Sequence, residues 1–232
     1  GEMWSVVTVS PSRARTRAPS IGAIGAGAPC PLKSLPSFFR TDGLTVEQRH
    51  ATSADGTRVP YFLVHRAGAG ASGPRPTLLY GYGGFEVSMT PAYSATVGAA
   101  WLEPGGVYAV ANIRGGGEFG PRWHQAALKQ NRNKSYEDFA AVARDLIDTG
   151  VTTPRHLGIQ GGSNGGLLIG AVIVQRPDLF QAALSQVPLM DMLRFHRFTI
   201  GWAWVSDYGN ADEDEEQFRT LLAYSPLHNV QP

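Results

Sequence analysis

The run Gly161-Gly162-Ser163-Asn164-Gly165 limits the folds open to this chain more than any other stretch. Residues 156–160 before it read as a short apolar strand, and residues 167–176 after it read as a helix. A chain that passes from strand to helix over so few residues must turn sharply. Glycines around one serine permit such a turn, because they bring no Cβ against the neighbouring backbone. The G-x-S-x-G pattern in this setting predicts a nucleophile elbow, with the Ser163 hydroxyl held clear of the main chain. Asn164 follows at the helix start, where its N–H can stabilise a developing oxyanion. The alternative is a glycine-rich turn with a purely structural role.

The flanking sequence supplies the sheet such an elbow needs. Residues 46–52 and 59–65 read as strands, with Asp55-Gly56 as the turn of a hairpin. Residues 67–76 form a Gly/Pro/Ser loop, and residues 77–80 and 107–113 are short buried strands. Residues 134–149 place Phe139, Val142, Leu146 and Ile147 at helical spacing, with acidic residues in the first turns. Residues 182–187 read as the next strand. A hairpin followed by alternating strands and helices predicts an α/β protein with a mostly parallel sheet and helices on both faces. That arrangement suits the α/β-hydrolase fold. The chain contains no internal repeat.

Composition narrows the function. With 232 residues and 43% apolar residues, the chain can bury one large domain or a domain with an extension. A net charge of +1 gives no reason to expect a nucleic acid or an anionic membrane as partner. No apolar run approaches the length of a transmembrane helix. The single cysteine, Cys30, excludes an internal disulfide framework. It fits the cytoplasm, with the periplasm as the alternative. Residues 5–30 are rich in Ser, Ala, Gly, Pro and Arg and lack acidic residues. A transit peptide can look like this, but Pro11, Pro19, Pro29 and Pro31 interrupt the helix it would need. Residues 1–31 are therefore expected to be a disordered or remnant extension, and residues 32–232 the folded domain.

Two other patterns resemble sites. The run Gly115-Gly116-Gly117-Glu118-Phe119-Gly120 matches G-x-G-x-x-G after a strand, and Glu137 stands at a plausible distance for a ribose. Pro121 directly after it and Arg114 directly before it fit a dinucleotide site badly. A flexible glycine loop beside the serine is the preferred reading. Asn210 with the acidic run at 212–216 resembles a metal site, but reads better as an N-cap and first turn of a helix ending near Tyr224. No metal and no cofactor is expected.

Four motifs in order resemble the prolyl oligopeptidase family of serine peptidases. They are Leu79-Tyr80-Gly81-Tyr82-Gly83-Gly84-Phe85, Ala111-Asn112-Ile113-Arg114-Gly115-Gly116-Gly117-Glu118, Gly161-Gly162-Ser163-Asn164-Gly165-Gly166-Leu167-Leu168 and Tyr224-Ser225-Pro226-Leu227-His228-Asn229. The resemblance covers about residues 32–232, and Ser-Asn in the elbow resembles the prolyl oligopeptidase branch. It implies Ser163 as nucleophile, with the Asn164 N–H and the Tyr82 hydroxyl as oxyanion donors. It implies Phe85, Leu189, Trp204 and Tyr208 as the apolar pocket for the residue before the scissile bond. Aromatic faces suit a proline ring, which is flat, apolar and without a donor. The implied substrates are short proline-containing peptides.

The chain also departs from that family. It is too short for the family's β-propeller, and the family's catalytic Asp and His would lie beyond Pro232. The histidines after Ser163 are His196 and His228, and both fall where the family's base does not. The expectation is a partial catalytic domain with its C-terminal part missing, weakly active or inactive by itself. The alternatives are a compact esterase using Asp191 and His228, or a fragment without catalysis.

Overall fold

In the computed structural model, residues 5–6, 20–23, 30–34, 36–67 and 73–231 are described. Most of the expected 1–31 extension lies outside them. Its described parts, β1 (Ser5–Val6) and β2 (Ser20–Ala23), pair antiparallel in series with β3 (Cys30–Ser34).

The main sheet has six strands. They are β4 (Leu44–Thr52), β5 (Arg58–Arg66), β6 (Thr77–Tyr80), β7 (Val107–Ala111), β8 (Leu157–Gly162) and β9 (Ala182–Gln186). Their spatial order is β4-β5-β7-β6-β8-β9. The β4–β5 hairpin is antiparallel with Thr52 opposite Arg58, and Gly56 takes the left-handed turn conformation at φ 83°. β5 meets β7 antiparallel, and from β7 onward every pairing is parallel. The mostly parallel sheet expected from the sequence is therefore present, with an antiparallel hairpin at one edge.

The helices are α1 (Ala95–Val97), α2 (Pro121–Gln125), α3 (Asn133–Asp148), α4 (Asn164–Gln175), α5 (Val205–Tyr208), α6 (Glu215–Tyr224) and α7 (Pro226–Asn229). Alternation along β7 divides the core between the two faces of the sheet. Val107, Ala109 and Ala111 join one buried cluster with Phe139, Val142 and Leu146 of α3 and Leu167, Leu168 and Ile169 of α4. Tyr108 and Val110 join a second with Phe39 and Leu102, the latter from a single π turn, Gly98–Leu102. All five residues of β7 are buried, which is why it reads as apolar without alternation. β9, by contrast, exposes Ala182, Ala183 and Leu184.

Several sequence expectations shift by a few residues. His156 belongs to a 3₁₀ turn, Pro154–His156, and not to β8. α4 begins three residues earlier than expected, directly at Asn164. Glu137 and Asp138 fall in the second turn of α3, within the first turns where acidic residues are expected. Asn210 is not the cap of α6: Asp214 is, accepting from the Gln217 N–H. The Asn210 side chain turns back on the Asp212 N–H, and Asp212 pairs with Arg197 and His196. The acidic run is thereby taken up by capping and ion pairing. Among the described residues no helix is long and apolar enough to cross a membrane.

Candidate active site

β6 and β8 are parallel neighbours, with Thr77 beside Leu157 and Tyr80 beside Gln160. Their C-terminal ends therefore open at one edge of the sheet, where α/β proteins place their sites. Tyr82 stands two residues beyond β6, and Ser163 stands one residue beyond β8. The Gly81 N–H reaches Gln160 O at 3.2 Å and ties the two exits together.

Ser163 is the turn itself. It is exposed, with φ 56° and ψ −116°, and α4 starts at the next residue. A non-glycine residue at positive φ is strained, and the surrounding structure must hold it there. The Ser163 N–H donates to Gln186 O at 2.9 Å, and Ser163 O accepts from the Leu167 N–H at 3.1 Å. Glycines let the neighbouring chain close in: a Cβ on Gly161 would lie 2.2 Å from Gly165 O, and one on Gly165 would lie 2.6 Å from Gly81 O.

Asn164 is buried, and both ends of its carboxamide are hydrogen-bonded. Its Nδ2 donates to Tyr82 O at 2.6 Å, while its Oδ1 accepts from Arg132 Nη2 and from the Tyr208 hydroxyl, each at 2.6 Å. Its backbone N–H sits in the first turn of α4, where a helix has no acceptor of its own. Tyr82 is half-buried. Burial, with Tyr80 and Asp207 nearby, holds its hydroxyl above the usual tyrosine range despite the opposing charge of Arg132. It is a protonated hydrogen-bond donor at neutral pH.

The four expected pocket residues belong to one apolar cluster. Tyr208 is buried in it, and Phe85, Leu189 and Trp204 pack against it half-exposed. Phe85 meets Tyr208 edge to face, with centroids 5.5 Å apart, and Phe195 backs Tyr208 from another side at 5.3 Å. Burial pushes the Tyr208 hydroxyl far above the usual range, so it stays a donor to Asn164. Phe85 itself has φ 53°, and its N–H donates to Asp207 Oδ2 at 2.8 Å. The other oxygen of Asp207 pairs with His124 Nε2 at 3.1 Å.

The sequence reading missed Arg132, Asp207 and His124. Arg132 sits in the polar stretch Gln130-Asn131-Arg132-Asn133-Lys134, which looks like surface, and nothing local announces its burial. The 115–120 loop, expected to be flexible, is closely packed. The Arg114 N–H and guanidinium bind buried Asp138, Ser135 Oγ donates to Arg114 O at 2.7 Å, and Gly115 is pressed on Gly83. Glu137 is held by Asn133 on the surface of α3.

No described residue is hydrogen-bonded to Ser163 Oγ. His228 Nδ1 lies 2.8 Å from Ser225 Oγ, Asp191 Oδ2 takes Arg194, and His196 takes Asp212. Asp191 and His228 are thus bound to other partners, and the structure does not assemble them with Ser163 as a triad.

A mostly parallel sheet, an exposed serine at a strained strand-to-helix turn and a tyrosine emerging from the adjacent strand define an α/β-hydrolase domain with a nucleophile elbow. Comparison makes the assignment specific. The model of the prolyl oligopeptidase family matches residues 93–232, and the chain belongs to that family. It is 55% identical over 199 residues to an uncharacterized peptidase of Sinorhizobium fredii, covering 86% of this chain. It is 46% identical over 192 residues to a prolyl endopeptidase of Elizabethkingia miricola, covering 83%. It spans 27% of the length of each of these relatives. Among solved structures, a post-proline cleaving enzyme from Rickettsia typhi matches 94% of this chain with TM-score 0.88 and 41% identity, over 32% of that enzyme. Oligopeptidase B from Trypanosoma brucei matches the whole chain with TM-score 0.91 and 30% identity, over 33% of its own length.

Proposed function

We propose that this domain carries the nucleophile of a serine peptidase that cleaves short peptides after proline. The observation that supports the reading most is Ser163, exposed at positive φ on the sheet edge where Tyr82 also emerges. Ser163 Oγ attacks the carbonyl carbon of the proline residue itself, giving up its proton to a base. The carbonyl oxygen becomes an oxyanion, which the Asn164 N–H and the Tyr82 hydroxyl stabilise. The tetrahedral intermediate expels the amine, leaving an acyl-enzyme that water hydrolyses. The proline ring lies against Phe85, Leu189 and Trp204, with Tyr208 behind them.

The serine proton needs a base, and among the described residues none is bonded to Ser163. The 232-residue chain is therefore expected to turn over slowly, by about 10³–10⁶ relative to an enzyme with a base on its serine. Fast turnover by the purified chain, abolished by Ser163→Ala, would contradict this.

The pocket is tested by the ratio of two rates of covalent labelling at Ser163 over long incubation, because the missing base slows both probes alike and leaves their ratio readable. A phosphonate probe with a prolyl group should label the wild type faster than one with an alanyl group. Trp204→Ala should slow the prolyl probe roughly 5- to 150-fold and the alanyl probe much less, because only proline uses the stacking face. Equal slowing of both probes would make Trp204 a packing residue and displace the pocket.

A further inference from the structure

Arg132 is the largest of the fully buried side chains described. It makes no ion pair with any described carboxylate. Its Nη2 donates to Gly83 O at 2.8 Å and to Asn164 Oδ1 at 2.6 Å, and both acceptors belong to the candidate site. Its Nε and Nη1 have no hydrogen-bond partner among the described residues, and two aromatic rings lie near the charge. Its Cζ lies 5.2 Å from the Tyr208 ring centroid and 5.9 Å from that of Tyr136. Burying a guanidinium without a carboxylate is expensive, so the position of its contacts is informative.

Those contacts converge on one short segment. Tyr82 O accepts from Asn164, Gly83 O accepts from Arg132, and the Phe85 N–H donates to Asp207. A Cβ on Gly84 would lie 2.5 Å from Asn164 Nδ2, so the segment is wrapped around the carboxamide. Two groups, Arg132 and Tyr208, donate to Asn164 Oδ1 and hold it there from one side. The segment carries Tyr82 at one end and Phe85 at the other.

We propose that Arg132 is a positioning residue which, through Asn164 and Gly83, fixes the segment bearing Tyr82 and Phe85 against the Ser163 elbow. It touches no substrate. It joins the oxyanion side of the site to its pocket side, so that neither moves without the other. The hydroxyl of Tyr208 has the same task, in addition to its ring lying behind the pocket. This rests on the roles proposed above for Ser163, Tyr82 and Phe85.

The test is amide hydrogen exchange at Phe85, Glu86 and Val87 in Arg132→Met, Arg132→Lys and Tyr208→Phe, with the amides of β7 as reference. Arg132→Met should speed exchange in the segment about tenfold or more while leaving β7 unchanged, the effect of losing a charged hydrogen bond. Arg132→Lys should recover much of the protection, since an ammonium can still donate to both acceptors. Unchanged exchange in the segment would overturn the proposal, and so would a loss spread evenly through β7. If Arg132→Met does not fold, Tyr208→Phe decides: faster exchange confined to the segment supports the clamp, and unchanged exchange overturns it. Phosphonate labelling separates this result from the reading beneath it. A wild type that reacts equally with prolyl and alanyl probes but loosens in Arg132→Met sinks the pocket reading and leaves the clamp standing. A wild type that labels, with a segment indifferent to Arg132, sinks the clamp alone.

Discussion

The 161–165 elbow and the 115–120 loop both follow a buried strand, and both press on the segment 81–88 from opposite sides. Different forces hold them. A Cβ on Gly165 would lie 2.6 Å from Gly81 O, while one on Gly115 would lie 2.4 Å from Gly83 O and one on Gly117 2.1 Å from Glu86 O. In the 115–120 loop, positive φ falls on Gly115 and Gly120, where it costs little. In the elbow it falls on Ser163. The first loop is anchored by charge, through Arg114 on Asp138 and Asp55. The elbow contains no ionisable side chain and is held by close backbone approach and by the Asn164 carboxamide. Two glycine-rich runs of similar appearance thus differ in where the strain is placed. Strain on the exposed Ser163 supports the nucleophile role proposed for it, whereas the glycines of the 115–120 loop absorb their own strain.

This contrast can be broken experimentally. Arg114→Met should have the largest effect. It leaves Asp138, whose side chain is 0% exposed, without its cation, and should cost about 3–5 kcal/mol in urea unfolding. Gly165→Ala should cost less, about 1–3 kcal/mol, the usual cost of overpacking, since one Cβ meets one backbone oxygen, Gly81 O, and no charge is left unpaired. A larger loss for Gly165→Ala than for Arg114→Met would reverse the assignment of forces.

The two regions should also part with pH. Arg114, then Thr57, holds the Asp55 carboxyl well below its ordinary value of 3.8. That stabilisation is present above 3.8 and is lost as the pH falls toward the depressed value. Under the elbow, burial raises the hydroxyls of Tyr136, Tyr208 and Tyr224 above their ordinary value of 10.0. Their contribution is present below 10.0 and is lost as the pH rises through the folded values. Acid should therefore loosen the 115–120 side first and alkali the elbow side first. Hydrogen exchange of the two loops at both extremes would read this, and simultaneous loosening in acid would contradict it.

The smallest effect should be a gain. Ser163→Gly removes the strained φ but gives the unfolded chain more freedom, so a net stabilisation of about 0.5–1 kcal/mol is expected. A destabilised Ser163→Gly would mean that the serine side chain, and not the backbone, holds the turn.

Much of the fold could be read along the chain. The Asp55-Gly56 turn, the strand before the elbow and the helix after it are local patterns, set by neighbours two to four residues apart. The ends of elements were read less well. α4 reaches back to Asn164 because glycines at 165 and 166 are tolerated in a helix pressed on Gly81, Gln186 and Pro188. The cap of α6 moved from Asn210 to Asp214 because Asn210 had a nearer donor in Asp212. Within the candidate site, the pattern pointed to Ser163 and the resemblance to Tyr82, Phe85, Leu189, Trp204 and Tyr208. Neither pointed to Arg132, Asp207 or His124.

The sequence by itself determined the elbow and the alternation of strand and helix, because glycine placement and apolar periodicity act over a few residues. Only the tertiary structure decided what the Asn164 side chain would meet. Its side chain bonds Tyr82, 82 residues away, Tyr208, 44 away, and Arg132, 32 away. Contacts at such separations leave no local pattern. Whether a polar side chain such as Arg132 lies in water or in the core depends on which distant groups the folded sheet brings to meet it.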